Sequence, residues 1–363
     1  MRMMKNGWIV LSCLCLLLSC VRYEDFDLEV LPDRMVLNAL ASPDGVRAHI
    51  SKSMMLTDEN LDYILTGAVA NVFVNNHFVG VMEANDEPYD SLHAAGQFRL
   101  DYPLQVGDRI RIEASAENFD PVSSETRIPL ECRIERVDTM MWEDDFSLYD
   151  RSDTLNLRAY VTLGEVRQDT ACYYRLLVNR KMRLEKDGAV WVINSLNDGI
   201  VLDTSDGLYF NTSYSRYPLL VDYEDLVFQM FDSNPALQAV NGSYGLGSFS
   251  STSLPEDRTV RFSFSPIYYS YRDDSLSFDV DFEIYLLSIS DEYYRYMQLL
   301  RDYSVQLGSV DFGSLLESAA SYTNVNNGFG LVGAYQMDSV AFRMPLDTVC
   351  PKVVNDIINI YGL

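Results

Sequence analysis

Histidine is nearly missing from this sequence: the 363 residues hold three, His49, His77 and His93. No H-x-H or H-E-x-x-H spacing occurs, which removes the common histidine frameworks for zinc. No G-x-S-x-G occurs, so a serine nucleophile elbow with its histidine partner is not expected. C-x-x-C pairs and EF-hand spacing are also absent, arguing against a thiolate zinc site and a calcium loop. Basic residues are scarce, 28 against 53 acidic, for a net charge of −25. Such a surface repels nucleic acid and anionic headgroups. Past the first 19 residues no apolar run is long enough to cross a membrane. The carboxylate runs Trp142–Phe146 and Tyr271–Ser275 read as solvated loops in so acidic a chain, and no glycosidase pair stands out among them. The reading is therefore of a non-enzyme with no cofactor, no metal and no catalytic residue assigned.

What is present begins at the N-terminus. Arg2 and Lys5 precede a short apolar stretch from Trp8 to Leu18, the shape of an export signal. It ends in Leu17-Leu18-Ser19-Cys20, similar to a bacterial lipobox, with Leu18 bulkier than usual at its place. Cleavage before Cys20 and acylation of its thiol would anchor the mature chain through several acyl tails. An ordinary secretory leader with an incidental cysteine is the alternative. Glu24, Asp25, Asp27 and Glu29 follow closely, like the surface-export signal of Bacteroidota lipoproteins; a solvated acidic tether is the plainer reading. The expected layout is a signal peptide over 1–19, a lipidated tether over 20–32, and two domains over 33–131 and 132–363. Removing Arg2 and Lys5 with the leader leaves 26 basic residues against 53 acidic, a net charge of −27.

Three cysteines lie beyond Cys20 in the mature chain: Cys132, Cys172 and Cys350. An exported chain can join two and leave one, and all three pairings are open. The same residues fit equally as three buried small apolar groups.

From Arg34 to about Pro129, short period-two segments alternate with turn residues, predicting an immunoglobulin-like β-sandwich. Asn75-Asn76, between "VFV" and "HFVGV", carries a hairpin signal. Longer strands follow in a larger β-rich domain, so the fold class is mainly β. One helix stands out over 291–307: Ser290 or Asp291 caps it, Glu292 complements its dipole and Gly308 follows its end. Tyr293, Tyr296, Met297, Leu300 and Tyr303 fall on one face. A short closing helix is read in "VVNDIINIYGL".

Two features invite a functional reading. "NNGFGLVGAY" places Gly328, Gly330 and Gly333 in a G-x-G-x-x-G pattern. A dinucleotide turn needs a buried strand before it and a helix after it. Here a polar stretch precedes and a strand-like "AYQMDSVAFRM" follows, so the glycines are expected to serve φ > 0 or close packing. The second feature is Tyr209, Tyr214, Tyr217, Tyr244, Tyr268, Tyr269 and Tyr271, gathered around a loop-rich stretch over 194–257. They form a possible binding platform for sugar or peptide, or pack on half-buried strand faces.

Several stretches resemble one family. "DFEIYLLSISDEYYRYMQLLRDY" and "SYTNVNNGFGLVGAY" are similar to the C-terminal signature of a Bacteroidota lipoprotein family catalogued as a domain of unknown function (four-two-four-nine). "VLNALASPDGVRAHISKS", "GQFRLDYPLQVGDRIRIEASAENFDPVSSETRIP" and "DTACYYRLLV" follow the same family's course. The resemblance spans nearly the whole mature chain and departs most over 194–257. It implies an accessory protein of a TonB-dependent outer-membrane transporter, lipid-anchored and exposed at the cell surface, binding nutrient or capping the transporter without catalysis. A structural or adhesive surface lipoprotein and a cryptic hydrolase are the alternatives.

Overall fold

Alternating apolar residues in "MVLNALAS" and "GVRAHISK" make the first hairpin, β1 (Met35–Ser42) and β2 (Gly45–Lys52), paired antiparallel along their whole length. In the computed structural model the residues described are 32–53, 65, 67–85, 96–144, 154–166, 171–186, 189–196, 201–203, 207–209, 221–222, 247–268, 276–308 and 322–343. Next come β3 (Val69–Val74), β4 (His77–Val81), β5 (Glu83–Asn85), β6 (Gln97–Asp101), β7 (Arg109–Ser115) and β8 (Val122–Arg127). Asn75 and Asn76 adopt φ of 51° and 69°, the left-handed pair a two-residue hairpin turn requires, and Val74 faces His77 across it. Strands β5, β6, β2 and β1 form one sheet and β4, β3, β7 and β8 the other. Met35, Leu37, Ile50, Val72, Ile110, Ile112 and Val122 fill the space between them.

A second sandwich follows. One sheet holds β9 (Ile134–Asp144), β10 (Thr154–Leu163), β17 (Thr259–Tyr268) and β15 (Val221–Asp222). The other is built on β11 (Tyr173–Lys186), β12 (Ala189–Leu196), β16 (Ser248–Ser250), β18 (Leu276–Ile289) and β19 (Val332–Arg343). Phe249, Phe262, Phe264 and Phe282 lead its core, each worth about 1.5–3 kcal/mol of burial. A small hairpin, β13 (Val201–Asp203) with β14 (Gly207–Tyr209), stands apart from these sheets.

Strands β11 and β18 are buried on both faces, and their sequences show it. Tyr174, Leu176, Val178, Ile284 and Leu286 point into the sandwich. Their neighbours Leu177, Tyr285, Leu287 and Ile289 meet Tyr293, Tyr294 and Met297 of helix α1 (Asp291–Gly308) on the other side. Two buried faces erase the alternation and leave the near-continuous apolar runs "YYRLLV" and "IYLLSI". Buried Arg175 donates from Nη1 to the Tyr293 hydroxyl at 2.6 Å, tying strand to helix.

The protein is thus mainly β with one prominent helix. The boundary expected between 131 and 132 falls in the link from β8 to β9, but a sheet path runs across it: β12-β11-β18-β19-β1-β2-β6-β5. Residues 332–334 of β19 pair in parallel with Ala39–Ala41 of β1, and from Tyr335 onward the strand pairs antiparallel with β18. By its contacts the chain from Arg34 to Leu363 is one unit. Pairing between strands 293 residues apart leaves no mark on local periodicity, so the sequence pattern alone suggests two independent domains. The closing helix read in "VVNDIINIYGL" lies outside the described residues.

Candidate interaction surface and junction cleft

Residues 322–334 explain the glycine motif. Phe329 N–H donates to Met35 O and Leu37 N–H to Phe329 O, while Ala39 N–H reaches Leu331 O. On its other side the segment exchanges hydrogen bonds with β8, Asn326 N–H to Ser123 O at 2.8 Å and Ser123 N–H to Asn326 O at 3.4 Å. The segment therefore closes the β1 and β8 edges of the first sandwich together. Gly330 has φ +114°, and a Cβ there would stand 2.2 Å from Leu37 O. At Gly328 a Cβ would meet Met35 O at 2.5 Å, and at Gly333 the Tyr293 Cβ at 2.9 Å. The glycines serve backbone geometry as expected: Gly330 carries φ > 0, and Gly328 and Gly333 allow close packing.

With β1 and β8 covered, β4 is left at the edge of its sheet. Its outward face is apolar. Phe78 is 57% exposed, Val81 50% and, on the adjoining β3, Val69 45%. Phe73 stands edge-on to Phe78 with ring centroids 5.6 Å apart, and the Arg111 guanidinium lies over the Phe73 ring at 4.1 Å. Arg111 also pairs with Glu113, and Arg109 with Glu125 at 3.2 Å. The Asn75 side chain fixes the hairpin by donating to Asp108 and accepting from Arg109 N–H. The result is a stiff aromatic and arginine-bearing face on a strongly acidic protein. Exposed apolar side chains gathered on one face mark interaction sites more often than scattered ones do.

A second feature lies where the β8–β9 link meets the second sandwich. A cleft of about 370 Å³ is lined by Val106, Leu130, Glu131, Glu165, Val166, Cys172 and Tyr174. Val106 comes from the turn before β7, Leu130 and Glu131 from the link, Glu165 and Val166 from the end of β10, and Cys172 and Tyr174 from the start of β11. Val106 is 41% exposed there. Burial first, then the Cys172 and Cys132 thiols, push the Tyr174 phenol above its ordinary range. Cys132 packs beneath, its thiol 3.2 Å from Leu286 O and 3.7 Å from Gln336 O, and burial pushes it up to about 12. Neither Cys132 nor Cys172 is in a disulfide.

Most of the tyrosines singled out in the sequence lie outside the described residues, so their arrangement is not on view. Cys20, Tyr214, Tyr217, Tyr244, Tyr269, Tyr271, His93 and Cys350 lie outside the described residues. Tyr209 ends β14 and Tyr268 ends β17. His49 sits half-buried on β2 and His77 exposed on β4. Among the described residues no group of three metal-ligating side chains comes together, and no helix is long and apolar enough to cross a membrane. The sequence reading passed over both features above. For the first, the signal was present: "FVGV" in β4 is an unbroken apolar run in a hairpin that alternation would make half polar. The cleft joins four distant segments and has no local signature.

A family model described as "Domain of unknown function (DUF4249)" matches residues 23–340. The chain belongs to this family. The match starts three residues after Cys20 and takes in both sandwiches, the helix and the glycine segment of this DUF4249 protein. No curated protein matches it. Among solved structures, the B domain of a biofilm associated protein is similar over 90% of this chain and 89% of its own. At 6% identity and a TM-score of 0.16, that likeness carries no argument.

Proposed function

We propose that this DUF4249 protein is a lipid-anchored, non-catalytic accessory protein of the bacterial outer membrane. It docks onto a TonB-dependent transporter through the outer face of β3, β4 and β7. The observation that carries this reading is the clustering of exposed Val69, Phe78 and Val81 beside the Arg111–Phe73 stack. Aromatic and arginine side chains are the residue types that dominate binding energy at interfaces. Cleavage of the 1–19 leader and acylation of Cys20 supply the anchor, and the family domain begins three residues later at 23. The high negative charge of the remaining surface favours association by this one face, since like charges elsewhere repel acidic neighbours. The lipobox, the acidic cluster and the family resemblance support placement at the cell surface.

Pull-down of the native protein from outer membranes in mild detergent tests the reading. Wild type is expected to retain a large β-barrel transporter. Phe78→Asp, at an exposed position that the fold tolerates, is expected to weaken retention at least tenfold, because loss of an aromatic anchor costs about 2 kcal/mol or more. Cys20→Ala is expected to leave the membrane fraction. Wild type recovered only as a free monomer across detergents contradicts the docking. Turnover on a peptide or glycan panel favours the hydrolase reading instead.

A further inference from the structure

The docking face carries a charge pattern beside its apolar one, and the strand registers give the layout. Phe78 on β4 lies opposite Phe73 on β3, then come Arg111 on β7 and Glu125 on β8. Two residues along, Arg109 stands directly opposite Arg127. Ile128 N–H donates to Asp108 O at 3.0 Å on their flank, so theirs is a non-hydrogen-bonded pair, the kind whose side chains stand closest. Like charges placed so are destabilising. The Arg109 guanidinium reaches Glu125 at 3.2 Å, and Arg111 pairs with Glu113. Arg127 is exposed, and among the described residues it has no carboxylate partner. The outer face of the opposite sheet differs. There Arg47 meets Asp101 at 2.9 Å, and Arg99 lies 3.1 Å from Asp101 and 3.9 Å from Glu83. A chain of net charge −25 thus holds an arginine in excess, pressed against another, on the face that also exposes Phe78 and Val81.

We infer that the docking partner lays an acidic peptide segment across this sheet, with a carboxylate between Arg109 and Arg127 and an apolar side chain against Phe78 and Val81. This rests on the docking reading above and adds what the partner presents. From β4 to β8 is three interstrand steps, about 14 Å. An extended segment rises about 3.3 Å per residue, which puts the acid four or five residues from the apolar anchor. One carboxylate can accept from both guanidinium groups, and its charge relieves the repulsion between them. A phosphate-rich lipid surface fits this face less well. Glu113 and Glu125 interrupt the arginines, and the acidic remainder of the chain repels such a surface.

The test compares Arg127→Glu and Arg127→Lys in the full lipidated chain by the same outer-membrane pull-down. Arg127→Glu sets an opposite charge across from Arg109, so the melting temperature is expected to hold or rise. Retention of the barrel is expected to fall about tenfold or more, because a like charge now faces the partner's carboxylate. Arg127→Lys keeps the charge and is expected to keep most of the retention. Raising salt from about 50 to about 500 mM is expected to weaken wild type and to strengthen Arg127→Glu, since screening acts on attraction and repulsion alike. Undiminished retention by Arg127→Glu would overturn the inference, and if Phe78→Asp is still released, the docking reading stands without it. A loss matched by a lower melting temperature would make Arg127 structural and overturn it as well. So would binding of the Cys20→Ala protein to phosphatidylglycerol vesicles that Arg127→Glu abolishes, because the anion would then be a lipid phosphate. Wild type that retains no barrel contradicts the docking reading and this inference together.

Discussion

At the scale of single residues, Gly330 carries the sharpest constraint. Its φ of +114° excludes L side chains at low cost, and Leu37 O stands 2.2 Å from where a Cβ would be. Gly330→Ala is expected to lower stability by about 1–3 kcal/mol from backbone strain, plus the cost of displacing β1. Gly333→Ala is expected to cost less, because no left-handed φ is needed there and its nearest neighbour, Tyr293 Cβ, stands farther off at 2.9 Å, although that Cβ is held at the base of a buried ring. Thermal unfolding of the two variants ranks them, and NAD or FAD should leave the melting temperature of wild type unchanged. That these glycines serve backbone geometry was legible in the sequence from the missing strand and helix around them. What they pack against was not, because β1 lies almost three hundred residues away.

Cys132 gives a pH prediction at the same scale. Its thiol is raised from 9.0 to about 12, chiefly by burial. The neutral thiol is the form the fold favours, so its contribution is complete below about pH 9. It is lost as pH rises toward 12, because the unfolded chain releases the proton first. Tyr174 and Tyr285, both raised first by burial, act in the same direction at higher pH. Stability is expected to fall across pH 9–12, and Cys132→Ala is expected to flatten the first part of that fall. A chemical denaturation series over this range measures it; identical slopes in both proteins would refute the assignment.

At the scale of elements, helix α1 was legible nearly to the residue. The sequence predicts 291–307 with Ser290 or Asp291 as cap, and the helix runs Asp291–Gly308. The structure selects Ser290, whose Oγ accepts from Tyr293 N–H at 3.4 Å. The same oxygen accepts from Ala334 N–H at 3.2 Å and from the Thr126 hydroxyl at 3.2 Å. One side chain thus joins the helix start, β19 and β8, and the single Thr126 hydroxyl proton is shared between Ser290 Oγ and Glu292 Oε2, the latter 3.1 Å away. Ser290→Ala is expected to cost about 1 kcal/mol for the cap and a further 1–3 kcal/mol for buried groups left unpaired. Urea unfolding reads the total, and a loss below half a kcal/mol would show that the junction does not depend on it. The strands of the first sandwich were legible because one face of each is wet. In β11 and β18 the helix-covered face replaces alternation with apolar runs, which mark burial without saying what covers it.

At the scale of the whole molecule, the proposed anchor rests on the sequence and the proposed docking face on the structure. The C-terminal segment closes the β1 and β8 edges of the first sandwich and leaves β4 at the edge, with Phe78 and Val81 outward. β4 is a short edge strand with a bulge in its pairing to β3, so its exposed apolar side chains, more than its free backbone edge, are what the proposed partner covers. The most direct measurement places a photo-crosslinking phenylalanine analogue at position 78 and, as a control, at position 140, where Met140 is 43% exposed on the other sandwich. Irradiation of intact cells should then yield an adduct with a TonB-dependent β-barrel from position 78 and none from position 140. Adducts to that barrel from both positions, or from neither, would contradict docking through this face.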